Sequence, residues 1–365
     1  MRAVVYRAPS NLPLEERPVP ELEPGDVLVD VFAAGVCGTD VRIYKGEHRA
    51  ALPERTPGHE IVGRIVGSHG PLRADLQLGD VVLVAPNFGC GQCHWCGLGH
   101  ENLCESAQAL GITIDGGFAE SVRIPSRAVE SGNLIPLAGA GAKAEDWVHA
   151  VLAEPLACVV RGQRRAEVRP GDSVFVGGGG PVGLLHVALA RAYGATVVIC
   201  SDPNPVRRDA AVRAGATHVI DTRSEPVGKR IMGITADRGV DVFITAAPSH
   251  ELQAQSLKFA AVGGRVLLFG GLPKSRPTVE LDTNLIHYKE LSVHGTTACM
   301  VEDCRQAIEL IKSGRVDTTW MVSHQYSLKD FDQAIQGVLD STALKVALVT
   351  LDGHTSHETT TEATA

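Results

Sequence analysis

The sequence predicts an α/β protein with two units, a β-rich unit and a doubly wound parallel sheet. Short Val-rich runs separated by Gly and Pro fill residues 1–145, and such alternation with frequent turn residues is typical of a β-rich unit. From residue 173 onward, continuous apolar runs alternate with helix-length segments, which indicates βαβ units and a parallel sheet covered on both faces. The 365 residues, 44% of them hydrophobic, can bury the cores of two domains.

The elements follow in order along the chain. In the β-rich part we predict a strand at the N-terminus and further strands over 26–36, 60–67 and 80–85. The parallel sheet is predicted from strands over 173–177, 196–200, 218–220, 241–245, 265–270 and 291–295, with helices over 181–194 and 205–215. Beyond 296 the pattern predicts helices over 301–314 and 331–340 and a strand over 345–351.

The last segment is too short for an independent third domain, so we expect it to complete the first unit. The predicted division is therefore 1–150 for the first part of the β-rich domain, 151–295 for the parallel-sheet domain and 296–351 for the return. The Thr-rich polar tail, 352–365, is expected to be disordered.

Charge and hydropathy exclude two classes of function. The chain carries 34 Lys and Arg against 42 Asp and Glu, a net charge of −8, and it has no basic stripe for nucleic-acid phosphates. A membrane span is excluded because the most apolar stretch, 174–200, is interrupted by glycines, His186 and Arg191. The N-terminus lacks the pattern of a secretory signal, so a cytoplasmic location is expected.

Four of the nine cysteines form a compact cluster. Cys90, Cys93, Cys96 and Cys104 have the spacing C-x2-C-x2-C-x7-C, and four thiolates can enclose one tetrahedral structural zinc ion. The alternatives are four unrelated buried thiols, an iron–sulfur cluster, whose usual spacings differ, or a set that includes His94 or His100. A disulfide framework is a poor explanation in a large chain without a secretory signal.

A second, open metal site is predicted from three separate segments. They supply Cys37, His59 and Glu154, and a Cys/His/carboxylate set with a water in the remaining position is typical of catalytic zinc. Asp40 suits a carboxylate that accepts the second N–H of the metal-bound imidazole. Each residue alone has a plainer explanation: an inert thiol, a satisfied histidine, a helix cap before Pro155, or a turn-capping carboxylate at Asp40.

A dinucleotide-binding loop is predicted at the first strand-to-helix junction of the parallel sheet. The sequence G-x-G-x-x-G there consists of Gly178, Gly180 and Gly183 with Pro181 and Val182, and it lets a pyrophosphate approach the backbone and the helix N-terminus. The alternative is a glycine-rich turn with no ligand.

An acidic residue ends the next strand of the same unit. Asp202 follows Gly183 by 19 residues, near the spacing expected for a carboxylate on the adenosine ribose. Such a carboxylate favours NAD over NADP because it repels the extra phosphate. Arg207 and Arg208 follow closely; they belong either to a solvated helix face or, in the case of Arg207, to the adenine site.

Together these motifs resemble the zinc-dependent medium-chain dehydrogenase/reductases over nearly the whole chain. The matching segments are 35–40 (GVCGTD), 57–60 (PGHE), the cysteine cluster, 115–120 (DGGFAE), 154–157 (EPLA) and 178–183 (GGGPVG). The chain is most similar to the sorbitol (polyol) and threonine dehydrogenase branch, because Glu154 stands where the liver-type alcohol dehydrogenases carry a cysteine.

The resemblance implies a GroES-like catalytic domain built from both chain ends, a Rossmann domain between them, and an active site in the cleft. It implies catalytic zinc on Cys37 and His59 with Glu60 or Glu154 as the carboxylate, and a structural zinc on the cysteine cluster. Thr39 matches the hydroxyl residue that contacts the substrate oxygen and begins the proton relay, and Lys345 matches a position near the cofactor phosphates. A homodimer or homotetramer is expected.

Two departures from the family pattern concern the same cleft. Arg42 stands where many relatives have a histidine, so His48 is either a replacement in the outward proton path or an exposed loop histidine. The segment 245–248 reads Thr-Ala-Ala-Pro where relatives often have a Cys-Thr-Gly-like run near the nicotinamide.

The expected activity is reversible oxidation of a secondary alcohol to a ketone with hydride transfer to NAD. The substrate is expected to be a polyol, a sugar derivative or an aminocyclitol. The alternatives are a threonine-type amino-alcohol dehydrogenase and, in a different class, a non-catalytic zinc- and nucleotide-binding protein.

Overall fold

The computed structural model describes residues 1–143 and 145–350. The tail predicted to be disordered, 352–365, lies outside these residues. The strands are β1 Arg2–Val4, β2 Leu14–Glu16, β3 Val27–Val36, β4 Glu60–Ser68, β5 Val81–Val84, β6 Asn87–Phe88, β7 Gln108–Ala109, β8 Ser121–Ile124, β9 Leu134–Ala138, β10 Ser173–Gly177, β11 Val197–Ser201, β12 His218–Ile220, β13 Val240–Thr245, β14 Ala260–Leu268, β15 Ser292–Gly295, β16 His324–Ser327 and β17 Val346–Val349.

The helices connect these strands and cover the sheets. They are α1 Gly38–Tyr44, α2 His94–Gly97, α3 Ser126–Glu130, α4 Ala153–Arg165, α5 Pro181–Ala192, α6 Pro205–Arg213, α7 Val227–Ile234, α8 His250–Phe259, α9 Thr283–Tyr288, α10 Val301–Lys312 and α11 Phe331–Leu339. Short 3₁₀ helices span Glu101–Leu103, Glu145–Leu152 and Leu328–Asp330.

Six parallel strands form the central sheet of the second unit, in the order β12-β11-β10-β13-β14-β15. Alternate residues of β10 serve different cores: Val174 and Val176 pack with α4, α5 and α10, whereas Phe175 packs with the core on the other face. Helices therefore cover both faces, and the predicted doubly wound parallel sheet is confirmed. The strand order reverses between β10 and β13, and ligands bind such sheets at the carboxyl ends beside that reversal.

Two strands from the C-terminal part of the chain, β16 and β17, complete one edge of the β-rich sheet. Its order is β16-β17-β3-β4-β5-β9, with β8 also pairing with β3. β17 runs antiparallel to β3, with Val346 opposite Val36 and Ala347 opposite Gly35. The C-terminal segment thus contributes to the first sheet, and the sequence-predicted domain boundaries themselves stay a prediction.

Helix length also bears on membrane insertion. α4, at 13 residues, is among the longest helices that the structure describes, well below the roughly 20 residues of a membrane-spanning helix. Within the described residues, no helix combines the length and apolar character that a crossing requires.

Candidate active site and metal centres

The tight turn between β3 and α1 places Cys37 beside His59. Cys37 is the N-cap of α1, and its Sγ accepts a hydrogen bond from the Thr39 backbone N–H at 3.2 Å. His59 directly precedes β4, which pairs with β3. The ring Nε2 of His59 therefore lies 3.0 Å from Cys37 Sγ.

Asp40 completes this arrangement from within α1. Its Oδ2 accepts a hydrogen bond from the Cys37 backbone N–H at 2.9 Å, as in a capping box. Its Oδ1 lies 3.5 Å from His59 Nδ1. Both side chains are buried, so the carboxylate faces the imidazole nitrogen that points away from Cys37.

These donors fit a zinc ion. Cys37, His59 and Glu60 each offer a ligand atom, and these atoms all lie within 4.8 Å of one another, a set that matches the ligands zinc takes in proteins. Burial alone lowers the pKa of His59, but the negative charges and hydrogen bonds of Cys37 and Asp40 raise this pKa well above its usual value. The surroundings of the ring thus favour a positive charge at this position.

Glu60 has a buried partner that the sequence did not reveal. Lys345 Nζ forms an ion pair with Glu60 Oε2, and the two side chains are 3% and 1% exposed. The register explains the contact, because Glu60 lies opposite Gly35 and Val346 lies opposite Val36 on β3. A Cβ on Gly35 would lie 1.9 Å from Glu60 Oε2, so any larger residue there would have to displace the Glu60 carboxylate from its place beside Lys345.

This pairing gives Lys345 a different partner from the cofactor phosphates suggested by the resemblance. Burial lowers the pKa of Lys345, but the charge and hydrogen bond of Glu60 together with the charges of Cys37 and Asp40 outweigh this effect and raise it. Lys345 therefore stays protonated within the sheet.

Glu154 lies in the first turn of α4, near enough to His59 and Glu60 for their charges to act on it. Its Oε1 lies 3.6 Å from the Sγ atoms of both Cys158 and Cys299. Burial and the charge of Cys299 raise the pKa of Glu154 well above its usual value, although His59 opposes this shift. The structure thus places Glu60 with Cys37 and His59, and it places Glu154 in an adjoining group; which carboxylate binds a metal there stays a prediction.

The cysteine cluster is assembled on α2 and the loops beside it. The ligand atoms of Cys90, Cys93, Cys96 and Cys104 lie within 4.8 Å of one another, and the group includes neither His94 nor His100. Backbone N–H groups of Cys90 and Cys93 donate to the sulfurs of Cys104 and Cys90, both at 3.2 Å.

The polarity of this loop suits thiolates. The backbone N–H of Gln92 and those of neighbouring groups lower the pKa of Cys90 to about 6, so this sulfur is ionised at neutral pH. Because thiolates are the zinc-binding form of cysteine, the four residues fit a closed tetrahedral zinc site.

The glycine loop lies at the carboxyl end of β10. Gly178 has φ +107°, a backbone conformation that favours glycine. A Cβ on Gly183 would lie 1.8 Å from the Gly178 carbonyl oxygen, whereas a Cβ on Gly180 would meet nothing within 4 Å. α5 begins at Pro181 with Gly180 as its N-cap, so its N-terminus opens towards space that a pyrophosphate can fill.

Asp202 follows β11 and lies against this loop. Its Oδ2 accepts a hydrogen bond from the Gly179 N–H, and its Oδ1 accepts one from the Asn204 N–H, both at 2.8 Å. Arg207 approaches the same carboxylate at 3.8 Å. Arg208 is paired with Asp221 at 3.0 Å, and its Nη1 also donates to the backbone carbonyls of Asp202 and Pro203, both at 2.9 Å.

The family departure at 245–248 also lies beside the loop. The N–H groups of Ala246 and Ala247 both donate to the Gly177 carbonyl at 2.9 Å. The Thr-Ala-Ala-Pro segment thus contributes backbone groups next to the position of the predicted cofactor.

Sequence reasoning missed a group of thiols near Glu154. Cys158, Cys299 and Cys304 come together there, with Cys299 Sγ 3.7 Å from Cys304 Sγ. The one signal in the sequence was the four-residue spacing between Glu154 and Cys158, which places both on one helix face.

Comparison with known proteins agrees with this architecture. The family described as alcohol dehydrogenase GroES-like domain matches residues 23–133, and the family described as zinc-binding dehydrogenase matches residues 181–313. An L-threonine 3-dehydrogenase of Pyrococcus furiosus is 35% identical over 88% of this chain and 89% of its own length. A sorbitol dehydrogenase of Bacillus subtilis is 32% identical over 93% of this chain and 94% of its own length.

A solved structure gives the same result in three dimensions. A zinc-binding dehydrogenase of Sinorhizobium meliloti 1021 bound to NADP superimposes with a TM-score of 0.87 at 34% identity, covering 95% of this chain and 98% of that one. The expectation of an enzyme is thereby confirmed, and a non-catalytic protein is disfavoured. The chain belongs to the zinc-dependent medium-chain alcohol dehydrogenase family, oxidoreductases that act on CH–OH donors.

Proposed function

We propose that this enzyme reversibly oxidises a secondary alcohol of a polyol, a sugar derivative or an aminocyclitol to a ketone, with hydride transfer to NAD. The observation that carries the proposal is the Cys37–His59 contact of 3.0 Å, with Asp40 behind His59 and the half-buried Thr39 beside Cys37. The similarity to a sorbitol dehydrogenase supports a polar substrate.

We assign the catalytic zinc to Cys37 and His59, with Glu60 or Glu154 as the carboxylate ligand, and the structural zinc to the cysteine cluster. When bound, catalytic zinc supplies Lewis-acid polarisation of the substrate oxygen. Cys37 and His59 hold their positions because α1 and β4 fix their backbones, and Asp40 orients the His59 ring.

Thr39 and His48 are the proposed carriers of the alcohol proton. Thr39 lies in the first turn of α1, and in the proposed relay its hydroxyl accepts the substrate proton while it donates its own proton onward. His48 is half-buried rather than exposed. Burial and the charges of Arg42 and Arg49 lower the pKa of His48, and the charge of His59 lowers it further, so the ring is neutral near pH 7. Its Nδ1 accepts the Ala50 N–H at 3.2 Å.

The cofactor is proposed to lie on the loop 178–183, with its pyrophosphate at the N-terminus of α5. Gly178, Gly180 and Gly183 leave room for the backbone approach, and Pro181 and Val182 begin the helix. Asp202 is proposed to bind the ribose hydroxyls, which favours NAD. The similar Sinorhizobium protein was solved with NADP. Arg207, which lies near Asp202, is therefore the residue whose replacement tests for a preference for NADP.

Substrate screening of the purified enzyme with NAD tests this proposal directly. We expect NADH formation with polyols, sugar derivatives or aminocyclitols at a kcat/KM at least tenfold above that for simple apolar secondary alcohols. Thr39→Val is expected to lower kcat by about 10²–10⁴-fold, while Thr39→Ser keeps most of the activity. Far better turnover of simple apolar alcohols than of any polyol leads to rejection of the substrate class.

A threonine-type amino-alcohol dehydrogenase is the second candidate. Arg42, Arg49 and Lys274 all act electrostatically on His48, and such a basic surrounding suits a substrate carboxylate. The similarity to an L-threonine 3-dehydrogenase points the same way. This candidate is preferred if L-threonine has a higher kcat/KM than the best polyol and if Arg42→Gln or Arg49→Gln removes that advantage.

A further inference from the structure

Three arginines and a tryptophan surround a cavity of about 390 Å³ near the ends of three helices, and we call these residues the arginine groove: Arg191, Arg213, Arg315 and Trp320. α5 ends at Ala192, α6 ends at Arg213, and Arg315 closely follows α10. Helices that connect parallel strands return the chain to the amino ends of those strands. The groove therefore lies at the opposite end of the sheet from the glycine loop, and it shares no residue with the proposed zinc and cofactor sites.

Each guanidinium group of the groove is held by a contact that leaves most of its donors available. Arg191 Nη1 donates to the Ala195 carbonyl at 2.5 Å. Arg315 Nη2 donates to the carbonyl of the last residue of α5 at 2.9 Å. The guanidinium carbon of Arg213 lies 4.5 Å from the ring centroid of Trp320, which is a cation–π contact. Because a guanidinium group has five N–H donors, each arginine can still bind a ligand.

No carboxylate is paired with these charges. In the described part of the chain, no carboxylate oxygen lies within 4.0 Å of a guanidinium nitrogen of the groove. Arg164, in the adjoining cavity, is by contrast paired with Asp303 at 2.6 Å. The acidic residue of the lining, Asp317, accepts hydrogen bonds from the N–H and hydroxyl of Thr319 at 3.0 and 2.6 Å. Three arginines and this aspartate give the lining a net charge of +2, in a chain whose overall charge is −8.

Stabilisation of helix ends accounts for only part of this arrangement. Positive side chains in the last turn of a helix interact favourably with its dipole, which explains Arg191 on α5 and Arg213 on α6. Arg315 lies beyond the end of α10 and adds a third positive charge beside the end of α5, where Arg191 already lies. Like charges around one cavity repel each other, and a bound anion relieves this repulsion.

We propose that the arginine groove binds a small phosphate ester whose organic part lies against Trp320. A phosphate monoester carries about −1.5 to −2 charges at neutral pH and presents three acceptor oxygens, which suits a lining with a net charge of +2 and three guanidinium groups. The planar fork of arginine matches the geometry of phosphate oxygens. The volume of about 390 Å³ lies in the usual range of small-molecule sites, and the small residues of the lining, mainly alanines, leave room for the organic part.

Calorimetric titration of the full-length protein with phenyl phosphate, in saturating NAD, tests the proposal. NAD is present to occupy the glycine loop, so that the probe does not bind there. We expect one phenyl phosphate per chain, and no binding of phenol, which has the same ring without the charge. The absence of saturable binding of phenyl phosphate at millimolar concentrations overturns the proposal.

Variants of the groove connect this binding to its arginines. Arg213→Gln and Arg315→Gln are each expected to raise the Kd for phenyl phosphate about tenfold or more, the effect of losing one hydrogen bond between charged groups. Arg230→Gln is the matched control, because Arg230 is also an exposed arginine of the parallel-sheet unit but lies on α7, outside the groove; its Kd should equal that of the parent. Equal Kd values in the parent and in both groove variants overturn the proposal.

Crystals of the unaltered protein, soaked with phenyl phosphate, give a test that does not depend on the folding of a variant. We expect the phosphate within hydrogen-bond distance of at least two guanidinium groups of the groove, and the phenyl ring against Trp320. An empty groove at a saturating concentration of the probe, or density for the probe only at the glycine loop or beside Cys37 and His59, overturns the proposal. Because the groove is separate from those sites, a failure of the zinc or cofactor assignments leaves this result unchanged.

Discussion

Asp40 joins the two segments that carry the proposed ligands of catalytic zinc: its Oδ1 lies 3.5 Å from His59 Nδ1, while its Oδ2 accepts the Cys37 N–H at 2.9 Å. The same carboxylate thus caps α1 and faces the imidazole ring. Because the ring can donate only one N–H when its other nitrogen binds a metal, this contact also selects the tautomer that presents Nε2 to the ion.

Replacement of Asp40 by Asn is expected to weaken catalytic zinc binding or activity by about 10–100-fold, the usual effect of losing such a carboxylate. Zinc titration of the apoprotein and kcat measure this effect. Asp80→Asn is the matched control, because Asp80 is also buried and accepts the N–H of the third residue before it, Gln77, at 2.9 Å. Equal losses in both variants indicate a general effect of losing a buried carboxylate, and not the contact between Asp40 and His59.

The buried pair of Glu60 and Lys345 should be costly to break. Lys345→Met leaves the Glu60 carboxylate without its buried partner, and we expect a loss of about 3–5 kcal/mol in the free energy of unfolding. Denaturant unfolding measures this loss. The double variant Glu60→Gln with Lys345→Met should recover part of it. Arg238→Met removes an exposed ion pair with Asp241 and is expected to cost no more than about 1 kcal/mol.

The cysteine cluster should contribute stability rather than chemistry. Cys93→Ala is expected to remove one zinc ion per chain and to lower the free energy of unfolding by about 4 kcal/mol or more, as expected when a metal site is lost. Metal analysis and thermal unfolding measure the two effects. Cys200→Ala should keep the metal content, since its sulfur belongs to the core of the parallel sheet. An unchanged metal content in Cys93→Ala argues against the structural zinc.

Asp202 should determine the preference between the two dinucleotides. Asp202→Asn removes the charge that repels a 2′-phosphate, so the ratio of kcat/KM for NAD to that for NADP is expected to fall at least tenfold. Steady-state kinetics with both cofactors measure this ratio. The control is Asp241→Asn, because Asp241 lies at the start of β13, at the opposite end of the sheet from the loop. A preference that is unchanged in Asp202→Asn contradicts the proposed ribose contact.

His186 should make the protein less stable in acid. Burial lowers the pKa of His186 to about 3, below that of an unfolded histidine. Between these two pKa values the imidazole is protonated in the unfolded chain and neutral in the folded protein. Stability is therefore lost as the pH falls below about 6.5, by about 2 kcal/mol between pH 7 and pH 5. His186→Gln should lack this part of the pH dependence in urea unfolding. Between pH 7.5 and 8.5 the variant and the parent should show the same slope, which provides the control.

Local patterns in the sequence predicted much of the fold. The strand over 60–67 corresponds to β4 and the helix over 301–314 corresponds to α10, in each case within two residues at either end. The glycine loop and the cysteine cluster were recognisable because the residues of each lie within a short segment of the sequence, 178–183 and 90–104. In these regions spacing alone determines which side chains can meet.

Contacts between distant segments could not be predicted in this way. The pair of Glu60 and Lys345 depends on the register of β17 against β3, and no local pattern encodes that register. Cys299 and Cys158 each look like an ordinary buried thiol in the sequence, and only the packing of α4 on α10 brings them to Glu154. Where the sequence did place Cys37 with His59, the inference required the family resemblance as well as the residues.

The position of β17 beside β3 also determines when, during synthesis, the surroundings of Cys37, His59 and Glu60 can be completed. A chain emerging from the ribosome can fold the parallel sheet, which is complete by β15, well before residue 346 has been made. Until then the part of β3 that pairs with β17, residues 33–36, lacks a neighbour on that edge, and Glu60 has no lysine to neutralise it. The segments that carry Cys37 and His59 therefore reach their final surroundings only after β17 has been made, so loading with the proposed catalytic metal is expected to follow the synthesis of that strand.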